Sequence, residues 1–217
     1  MSPSRVDGDV DARSSADKAS AAERDAAQEA EWLAQLRLGD PKAFQAVYER
    51  YRVRIYSFVL RLSGRRDLAD DLLQDTFVQL ARHAARLPEE TRFAPWLYTV
   101  ARNRYLSQRR TALFRLDRLR SWFGGGQNEA DERVPSPHHQ ASQRQAVTQL
   151  EQALQALSPP LREVLLLVCI DELEQDQAAR ILGIQPAALR KRLERGRAQL
   201  QELLDKQERG MDHGPAD

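Results

Sequence analysis

The sequence predicts an all-α protein with two small helical domains joined by a flexible linker. Apolar residues recur at spacings of three and four within residues 28–110 and 143–206, the periodicity of helices that bury one face. No segment alternates with a period of two, the pattern that predicts strands. Residues 111–142 contain a run of three glycines and two prolines among polar residues, a composition typical of linkers.

Capping residues, glycines and prolines predict the helix boundaries of the first domain. Residues 1–27 contain almost no large apolar side chain, so we expect a disordered arm there. A short helix then ends at Gly39, and a long helix runs from Asp40-Pro41 to Gly64. The next helix is capped by Asp67 and ends at Pro88. The last helix of this domain runs from Pro95 to about Arg110, with a continuation through Leu119.

The second domain is predicted to hold four helices, followed by a disordered tail at residues 207–217. Val147, Leu150, Leu154 and Leu157 mark the first helix, and Ser158-Pro159-Pro160 begins the second. A short helix over residues 174–182 ends at the turn Gly183-Ile184, and a fourth helix from Pro186 reaches about Lys206.

Composition limits the class of protein. Of the 217 residues, 41% are hydrophobic and 30% are charged, which suits a soluble protein with modest cores. The longest apolar stretch, residues 164–170, is too short to span a bilayer, and the N-terminus lacks the features of a secretory signal. One cysteine, Cys169, excludes an internal disulfide framework and favours a reducing cytoplasm; we expect its side chain to pack inside its apolar helix.

Charge is distributed unevenly, although the total is only +1. Residues 67–75 hold four Asp and no base, whereas residues 92–120 hold eight Arg and one Asp. Residues 185–200 add five basic residues and one Glu. Two separate basic surfaces predict two contacts with a polyanion, and the acidic segment predicts a basic partner.

Residues 174–200 have the pattern of a helix-turn-helix, which places its second helix in the DNA major groove. Leu189, Leu193, Gly196 and Leu200 have the spacing of a buried stripe on that second helix. Burial of this stripe turns outward a set of residues suited to base edges and phosphates: Ala187, Arg190, Lys191, Glu194, Arg195 and Arg197. The alternative interpretation is a solvent-exposed helix that is rich in charged residues and does not bind DNA.

The helix after Pro95 interleaves aromatic and basic residues. Trp96, Val100 and Ala101 can pack inward, and Tyr98, Arg102, Tyr105 and Arg109 share another face. Rings stack on unpaired bases and guanidinium groups bind phosphates, so this face favours single-stranded nucleic acid, with Asn103 able to pair with a base edge. The preceding residues 89–93 could complete a pocket for an extruded base. Aromatic packing beside a solvated Arg face is the simpler alternative.

Two motifs resemble the extracytoplasmic-function sigma factors of the sigma-70 family. DLADDLLQDTFVQLARH followed by RFAPWLYTVARNRYLSQRR resembles their region 2, and LSPPLREVLLLVCIDELEQDQAARILGIQPAALRKRLERGRAQL resembles their region 4. The resemblance covers about residues 38–110 and 145–205. It implies a bacterial RNA polymerase specificity subunit that recognises and opens promoters, works in the cytoplasm on the nucleoid, and catalyses no covalent chemistry.

The resemblance also implies a role for each segment. The residues implied to dock on the clamp coiled coil of the polymerase β′ subunit are Leu68, Asp71, Leu72, Gln74, Asp75 and Phe77. The residues implied to bind the melted −10 element are Phe93, Tyr98, Arg102, Asn103, Tyr105, Arg109 and Arg110. The outward residues of the helix-turn-helix named above are implied to read the −35 duplex. Further implied partners are the polymerase β flap and an anti-sigma protein.

This chain departs from the family pattern at several positions. A capping Ser is usual where Glu174 stands, and a Gly where Glu172 stands. A Gly-Thr pair often occupies the place of Ala187-Ala188. Without the Thr hydroxyl a phosphate contact is lost, which affects the expected −35 sequence preference but not the expected fold.

Three other classes of protein are alternatives for this sequence. A stand-alone regulator that binds duplex DNA explains the helix-turn-helix but not the Tyr-Arg face. A helical adaptor without a nucleic-acid role would bind partners independently of salt. An enzyme is least favoured, because the sequence contains no phosphate loop, nucleophile motif or metal-ligand spacing, so we expect no catalytic residue, metal or cofactor. His138-His139 with Cys169 is a poor metal site.

Overall fold

The computed structural model describes residues 23–123 and 141–211, and all regular structure in these two ranges is helical. The elements are α1 (23–37), α2 (Pro41–Ser63), α3 (Arg66–His83), a 3-10 turn (Ala84–Arg86), α4 (Phe93–Phe123), α5 (Ala141–Ala156), α6 (Pro159–Leu165), a π-helical turn (Leu166–Ile170), α7 (Gln175–Leu182) and α8 (Pro186–Met211). The predicted all-α fold class is confirmed.

Most helix starts follow the predicted caps. The Lys42 backbone N–H donates to Asp40 Oδ1 at 2.9 Å, and Pro41 begins α2. Ser158 precedes α6, which starts with two prolines. For α3, however, the helix begins at Arg66, so Asp67 lies in its first turn and is not the cap.

The turn of the helix-turn-helix depends on Gly183. Its φ is 65°, a left-handed conformation that costs side-chain-bearing residues free energy. The Gly183 N–H donates to Arg180 O at 3.1 Å and the Ile184 N–H to Ala179 O at 3.0 Å, the paired bonds of a Schellman motif. These bonds satisfy the last carbonyls of α7 and fix the direction of α8.

Three helices extend beyond their predicted ends. Helix α1 includes residues 23–27 of the predicted arm, and the Asp25 carboxylate pairs with Arg50 at 2.8 Å. Helix α4 includes residues up to Phe123, because residues 111–123 are rich in helix formers. Helix α8 continues past Lys206, whose ammonium pairs with Glu202 one turn earlier.

The chain divides into two compact units, here called unit 1 and unit 2. Unit 1 contains residues up to Arg50 together with Leu80–Phe93, and unit 2 contains Tyr51–Gln79 together with residues from Ala94 onward. Unit 2 therefore groups parts of α2, α3 and α4 with α5 to α8. The sequence did not predict this grouping.

Unit 1 contains α1, the first half of α2 and the segment that precedes α4. Two ion pairs join α1 to residues 88–92: Glu29 with Arg92 at 3.1 Å, and Arg37 with Glu89 at 3.0 Å. The Glu29 side chain is only 13% exposed, whereas Glu89 is 85% exposed. Because screening weakens exposed pairs, the Glu29 pair contributes more to positioning this segment.

Unit 2 has an aromatic contact at the centre of its α2 and α4 packing. The rings of Phe58 and Tyr98 meet edge to face, with centroids 5.0 Å apart and planes at 80°. Both side chains are fully buried, and Ile55, Leu62 and Leu97 are buried as well. An edge-to-face pair contributes about 0.5–1.5 kcal/mol beyond burial itself.

Arg162 on α6 is buried and bonds to the ends of two other helices. Its guanidinium donates to Leu154 O at 2.8 Å, Gln155 O at 2.6 Å and Leu157 O at 3.2 Å, carbonyls at the end of α5. It also donates to Gln155 Oε1 at 2.7 Å and to Leu62 O, near the end of α2, at 2.9 Å. Helix C-termini leave carbonyls unsatisfied and carry partial negative charge, so a buried cation is stable there.

The π-helical turn changes the register of the segment after α6. The Asp171 N–H donates to Leu166 O at 2.9 Å, a bond that spans five residues instead of four. Glu172 follows with a φ of 55°, a left-handed backbone conformation that favours Gly. Flanking backbone bonds, including Leu173 N–H to Leu167 O at 2.9 Å, hold this residue in the left-handed region.

Candidate nucleic-acid interface

Helix α8 presents the predicted DNA-reading residues to solvent. Leu189 and Leu193 are 0% and 4% exposed, and Gly196 is buried on the side of α8 that faces α6. All six predicted contacts are exposed: Ala187, Arg190, Lys191, Glu194, Arg195 and Arg197. The predicted orientation of this helix is confirmed, and the role of each side chain in DNA reading stays a prediction.

Close packing of α8 against α6 requires a small residue at position 196. A Cβ added to Gly196 would lie 3.2 Å from Leu165 Cγ and 3.5 Å from the Leu161 carbonyl oxygen. Contacts near 3.2 Å force the neighbouring side chain to move. The glycine therefore sets the distance between the two helices and, through it, the position of the outer face.

Cys169 is exposed, so the prediction that it packs inside its helix is wrong. The π-helical turn accounts for the difference, because the wider turn changes which side chains face inward. Leu166 and Leu167 are buried, while Cys169 lies beside α8 with its Sγ 3.6 Å from Arg197 Nη2. A regular helical wheel cannot detect this shift.

Helix α4 exposes only part of its predicted strand-binding face. Asn103, Arg109 and Arg110 are exposed and Tyr105 is half-buried. Phe93 and Tyr98 are 0% exposed and offer no surface on which a base could stack. The prediction that Tyr98 shares the outer face is therefore wrong.

The buried stripe of α4 is rotated by about one residue from the prediction. Phe93, Leu97 and Ala101 are buried at a spacing of four, and Tyr98 lies beside them. Trp96, which was expected to pack inward, is half-exposed. The four-residue spacing of Phe93, Leu97 and Ala101 is the feature of the sequence that could have indicated this buried stripe.

Arg102, a predicted strand contact, forms an ion pair with Glu163 of α6. Arg102 Nε and Nη2 lie 3.1 and 3.0 Å from Glu163 Oε2. The two side chains are only 16% and 5% exposed. Solvent therefore screens this pair weakly compared with the exposed Arg37–Glu89 pair of unit 1.

A second polar cluster lies where Tyr98 approaches Asp171. Burial raises the pKa of Asp171 to about 6, against an ordinary 3.8. Burial, together with the nearby Asp171 carboxylate, raises the pKa of the Tyr98 hydroxyl far above its ordinary range. Among the described residues, the Tyr98 hydroxyl and the Asp171 carboxylate interact closely, but neither the hydroxyl nor Asp171 Oδ2 forms a hydrogen bond of full geometry. Arg54 Nη2 instead donates to the Asp171 backbone carbonyl at 2.7 Å.

The predicted docking segment on α3 divides into an outer and an inner set. Asp71 and Gln74 are exposed, Leu68 and Asp75 are half-buried, and Leu72 and Phe77 are buried. Val78, which was not predicted, is 36% exposed one turn after Gln74 and Asp75. The accessible surface is therefore acidic with an apolar end, and Leu72 and Phe77 support it from inside.

Asp67 belongs to the same acidic helix but is paired locally. A hydrogen bond from Arg65 lowers the pKa of its carboxyl, and backbone N–H bonds of the first helical turn lower it further. The Arg65 Nε to Asp67 Oδ1 distance is 3.2 Å. This contact stabilises the start of α3 whether or not the face binds a partner.

The structure describes residues 23–123 and 141–211, and every helix in these two ranges is too short or too polar to span a bilayer. Neither range contains three or more His, Cys, Asp or Glu side chains grouped so that they could hold a metal ion. His138 and His139 lie outside the described residues.

Comparison with known proteins identifies the family. The Sigma-70 region 2 family matches residues 47–113, and the Sigma-70, region 4 family matches residues 148–200. RNA polymerase sigma factor CarQ of Myxococcus xanthus is 33% identical over 172 residues, which are 79% of this chain and 95% of CarQ. ECF RNA polymerase sigma factor SigM of Bacillus subtilis is 29% identical over 164 residues, 74% of this chain and 94% of SigM.

A solved structure shares the fold. The sigma factor RpoE of Bartonella quintana, crystallised with the anti-sigma factor NepR, superposes with a TM-score of 0.63 at 26% identity. The match covers 76% of this chain and 98% of RpoE. Both sigma-70 regions are present in order, and the chain therefore belongs to the extracytoplasmic-function group of the sigma-70 family of RNA polymerase sigma factors.

Proposed function

We propose that this sigma factor docks on core RNA polymerase through α3, reads the −35 duplex through α8 and captures the unpaired −10 strand through α4. The observation that carries the proposal is the outward face of α8, where four basic side chains and Glu194 are exposed above a buried Leu and Gly stripe. A helix of this kind fits the major groove.

Reading of the −35 element combines phosphate and base contacts. Arg and Lys side chains bind guanine edges or phosphates, and Glu194 can accept a hydrogen bond from cytosine. Phosphate contacts release counterions, so each one makes binding weaker as salt rises. Exposed basic residues on α8, including Arg190 and Arg195, supply such contacts.

Strand capture on α4 depends on residues that remain accessible. Asn103, Tyr105, Arg109 and Arg110 form this set, while Phe93 and Tyr98 act from within as packing residues. Stacking and phosphate contacts replace the stacking lost when the duplex opens, so melting needs no nucleotide hydrolysis. Opening is therefore a shift of an equilibrium, without covalent catalysis by this chain.

Docking on the β′ clamp coiled coil uses the accessible part of α3. Asp71 and Asp75 lie one turn apart and offer carboxylates to a basic partner, while Leu68 and Val78 add apolar contact. The likeness to RpoE in complex with NepR supports a further proposal, that an anti-sigma protein binds this chain. Action on the cytoplasmic nucleoid follows from the same set of partners.

Transcription with purified core polymerase on a promoter library tests the proposed function. Adding the full chain is expected to produce initiation at start sites that core polymerase alone does not use. If no such start sites arise, and the chain alone binds a specific duplex, the proposal is wrong.

Two substitutions separate melting from docking. Asn103→Ala is expected to reduce open-complex formation more than core binding, and Asp75→Arg is expected to weaken core binding directly. Gln152→Ala, an exposed amide on α5, and Glu151→Arg, an exposed Glu on α5 outside the acidic segment, are the matched controls. Equal loss of both activities in Asn103→Ala, or unchanged core affinity in Asp75→Arg, would contradict the assignments.

A further inference from the structure

The Arg102–Glu163 pair joins two surfaces that the proposed function assigns to different promoter elements. Arg102 lies on α4, the proposed strand-binding helix, and Glu163 lies on α6, which packs directly on α8. Within unit 2 both side chains are largely buried, and two of the three guanidinium nitrogens, Nε and Nη2, contact one carboxylate oxygen. The inference below rests on the proposed function.

Other contacts at the same junction are also polar. Gln155 Nε2 donates to Arg61 O at 2.7 Å, Arg162 Nη1 donates to Leu62 O at 2.9 Å, and Arg54 donates to the Asp171 carbonyl. Junctions made mainly of hydrogen bonds and ion pairs separate more readily than apolar ones, because water can replace each contact. The bonds from α5 and α6 to the backbone of α2, and from Arg54 of α2 to the Asp171 carbonyl, are contacts of this replaceable kind.

Promoter geometry is incompatible with this packing. The −10 and −35 elements lie roughly 25 base pairs apart, or about 85 Å at 3.4 Å per base pair. Helix α6 packs closely on α8, since a Cβ added at Gly196 would lie 3.2 Å from Leu165 Cγ, so α6 is expected to move with α8 to the upstream element. The 3.0 Å contact between Arg102 and Glu163 then has to break.

We propose that Glu163 is an internal substitute for a DNA phosphate at Arg102, and that strand capture requires the phosphate to displace it. A carboxylate and a phosphate are both oxyanions that bind a guanidinium through charge-assisted hydrogen bonds. Arg102 therefore exchanges one anion for another when the chain changes from its packed state to its promoter-bound state. The free protein is restrained from binding single strands by its own α6.

Anisotropy of a fluorescent mixed-sequence DNA single strand, titrated with the full-length chain, measures the competition. Glu163→Gln keeps the side-chain shape but removes the charge, and it is expected to tighten binding about 5- to 30-fold. Glu151→Gln, an exposed Glu on α5, is the matched control and should bind as the native chain does. Arg102→Gln should weaken binding, and adding Glu163→Gln to it should restore nothing.

The exchanged pair, Arg102→Glu with Glu163→Arg, keeps the proposal testable if a single variant folds poorly. It restores the ion pair and should unfold at a urea concentration close to that of the native chain. It places a carboxylate on α4, so strand binding should be lost. Native-like strand binding by this variant would refute the proposal.

The outcomes distinguish this inference from the proposed function. Weaker binding in Arg102→Gln with unchanged binding in Glu163→Gln would leave Arg102 as a strand contact and refute competition by Glu163. Unchanged binding in Arg102→Gln would refute both the contact and the competition. Initiation by the native chain with core polymerase tests the proposed function independently of either result.

Discussion

Replacing Arg162 with Met tests how much of the fold depends on one buried guanidinium. Arg162 is 8% exposed and donates five hydrogen bonds, three of them to carbonyls near the end of α5. Hydrogen bonds from charged donors contribute about 1.5–3 kcal/mol each, so five additive bonds would reach the whole stability of a small domain. They cannot be additive.

A smaller loss follows from what the variant retains. Met keeps an apolar stem of similar length, and water can reach some of the freed carbonyls of α5. Carbonyls that stay buried without a donor carry a desolvation penalty, as in buried charge networks that lose one member. We expect Arg162→Met to lower the free energy of unfolding by about 3–5 kcal/mol.

Urea unfolding of the full-length chain, followed by circular dichroism, measures this loss. Arg180→Met removes an exposed guanidinium from α7 and should change stability by no more than about 0.5 kcal/mol. A loss below about 1 kcal/mol in Arg162→Met would refute the reasoning, since it would mean that the network contributes no more than one ordinary hydrogen bond.

Two further predictions concern the rest of unit 2. The pKa of Asp171 is raised from 3.8 to about 6, so the folded state holds its proton more tightly and stability falls as pH rises through this window, by up to about 3 kcal/mol. Asp171→Asn should remove most of that fall, as measured by urea unfolding midpoints at several pH values. The prediction is contradicted if the midpoints of the native chain and the variant change with pH by the same amount. At Gly183, where an added Cβ would meet nothing within 4 Å, Ala should cost about 1 kcal/mol through backbone conformation alone, and Asn less. Equal melting temperatures for Gly183, its Ala variant and its Asn variant would contradict this explanation.

Features with a local signal in the sequence were predictable. The stripe of Leu189, Leu193 and Gly196 has one helical spacing, and its burial leaves only one outward face for α8. Gly183 and Pro186 marked the turn and the helix start because each has a strong backbone preference. The second half of the candidate site followed from these few residues.

Features that depend on distant partners were not predictable. Burial of Tyr98 is decided by Phe58 on another helix, and its hydroxyl group wrongly suggested an outer position. The pairs Arg102–Glu163 and Arg92–Glu29 join residues about sixty positions apart, with no periodicity to indicate them. The exposure of Cys169 depends on a π-helical turn, which a regular spacing of residues does not encode.

The tight contact of Gly196 with Leu165 divides helix α8 into two parts with separate constraints. Substitutions on the inner side disturb helix packing, whereas the outer side tolerates change because its side chains project into solvent. Promoter preference can therefore diverge, or be redesigned, by exchanging residues such as Arg190 and Glu194 without loss of the scaffold. Because Gly196 has no Cβ, the inner side of α8 can keep its close packing while residues on the outer side change the promoter sequence that is recognised.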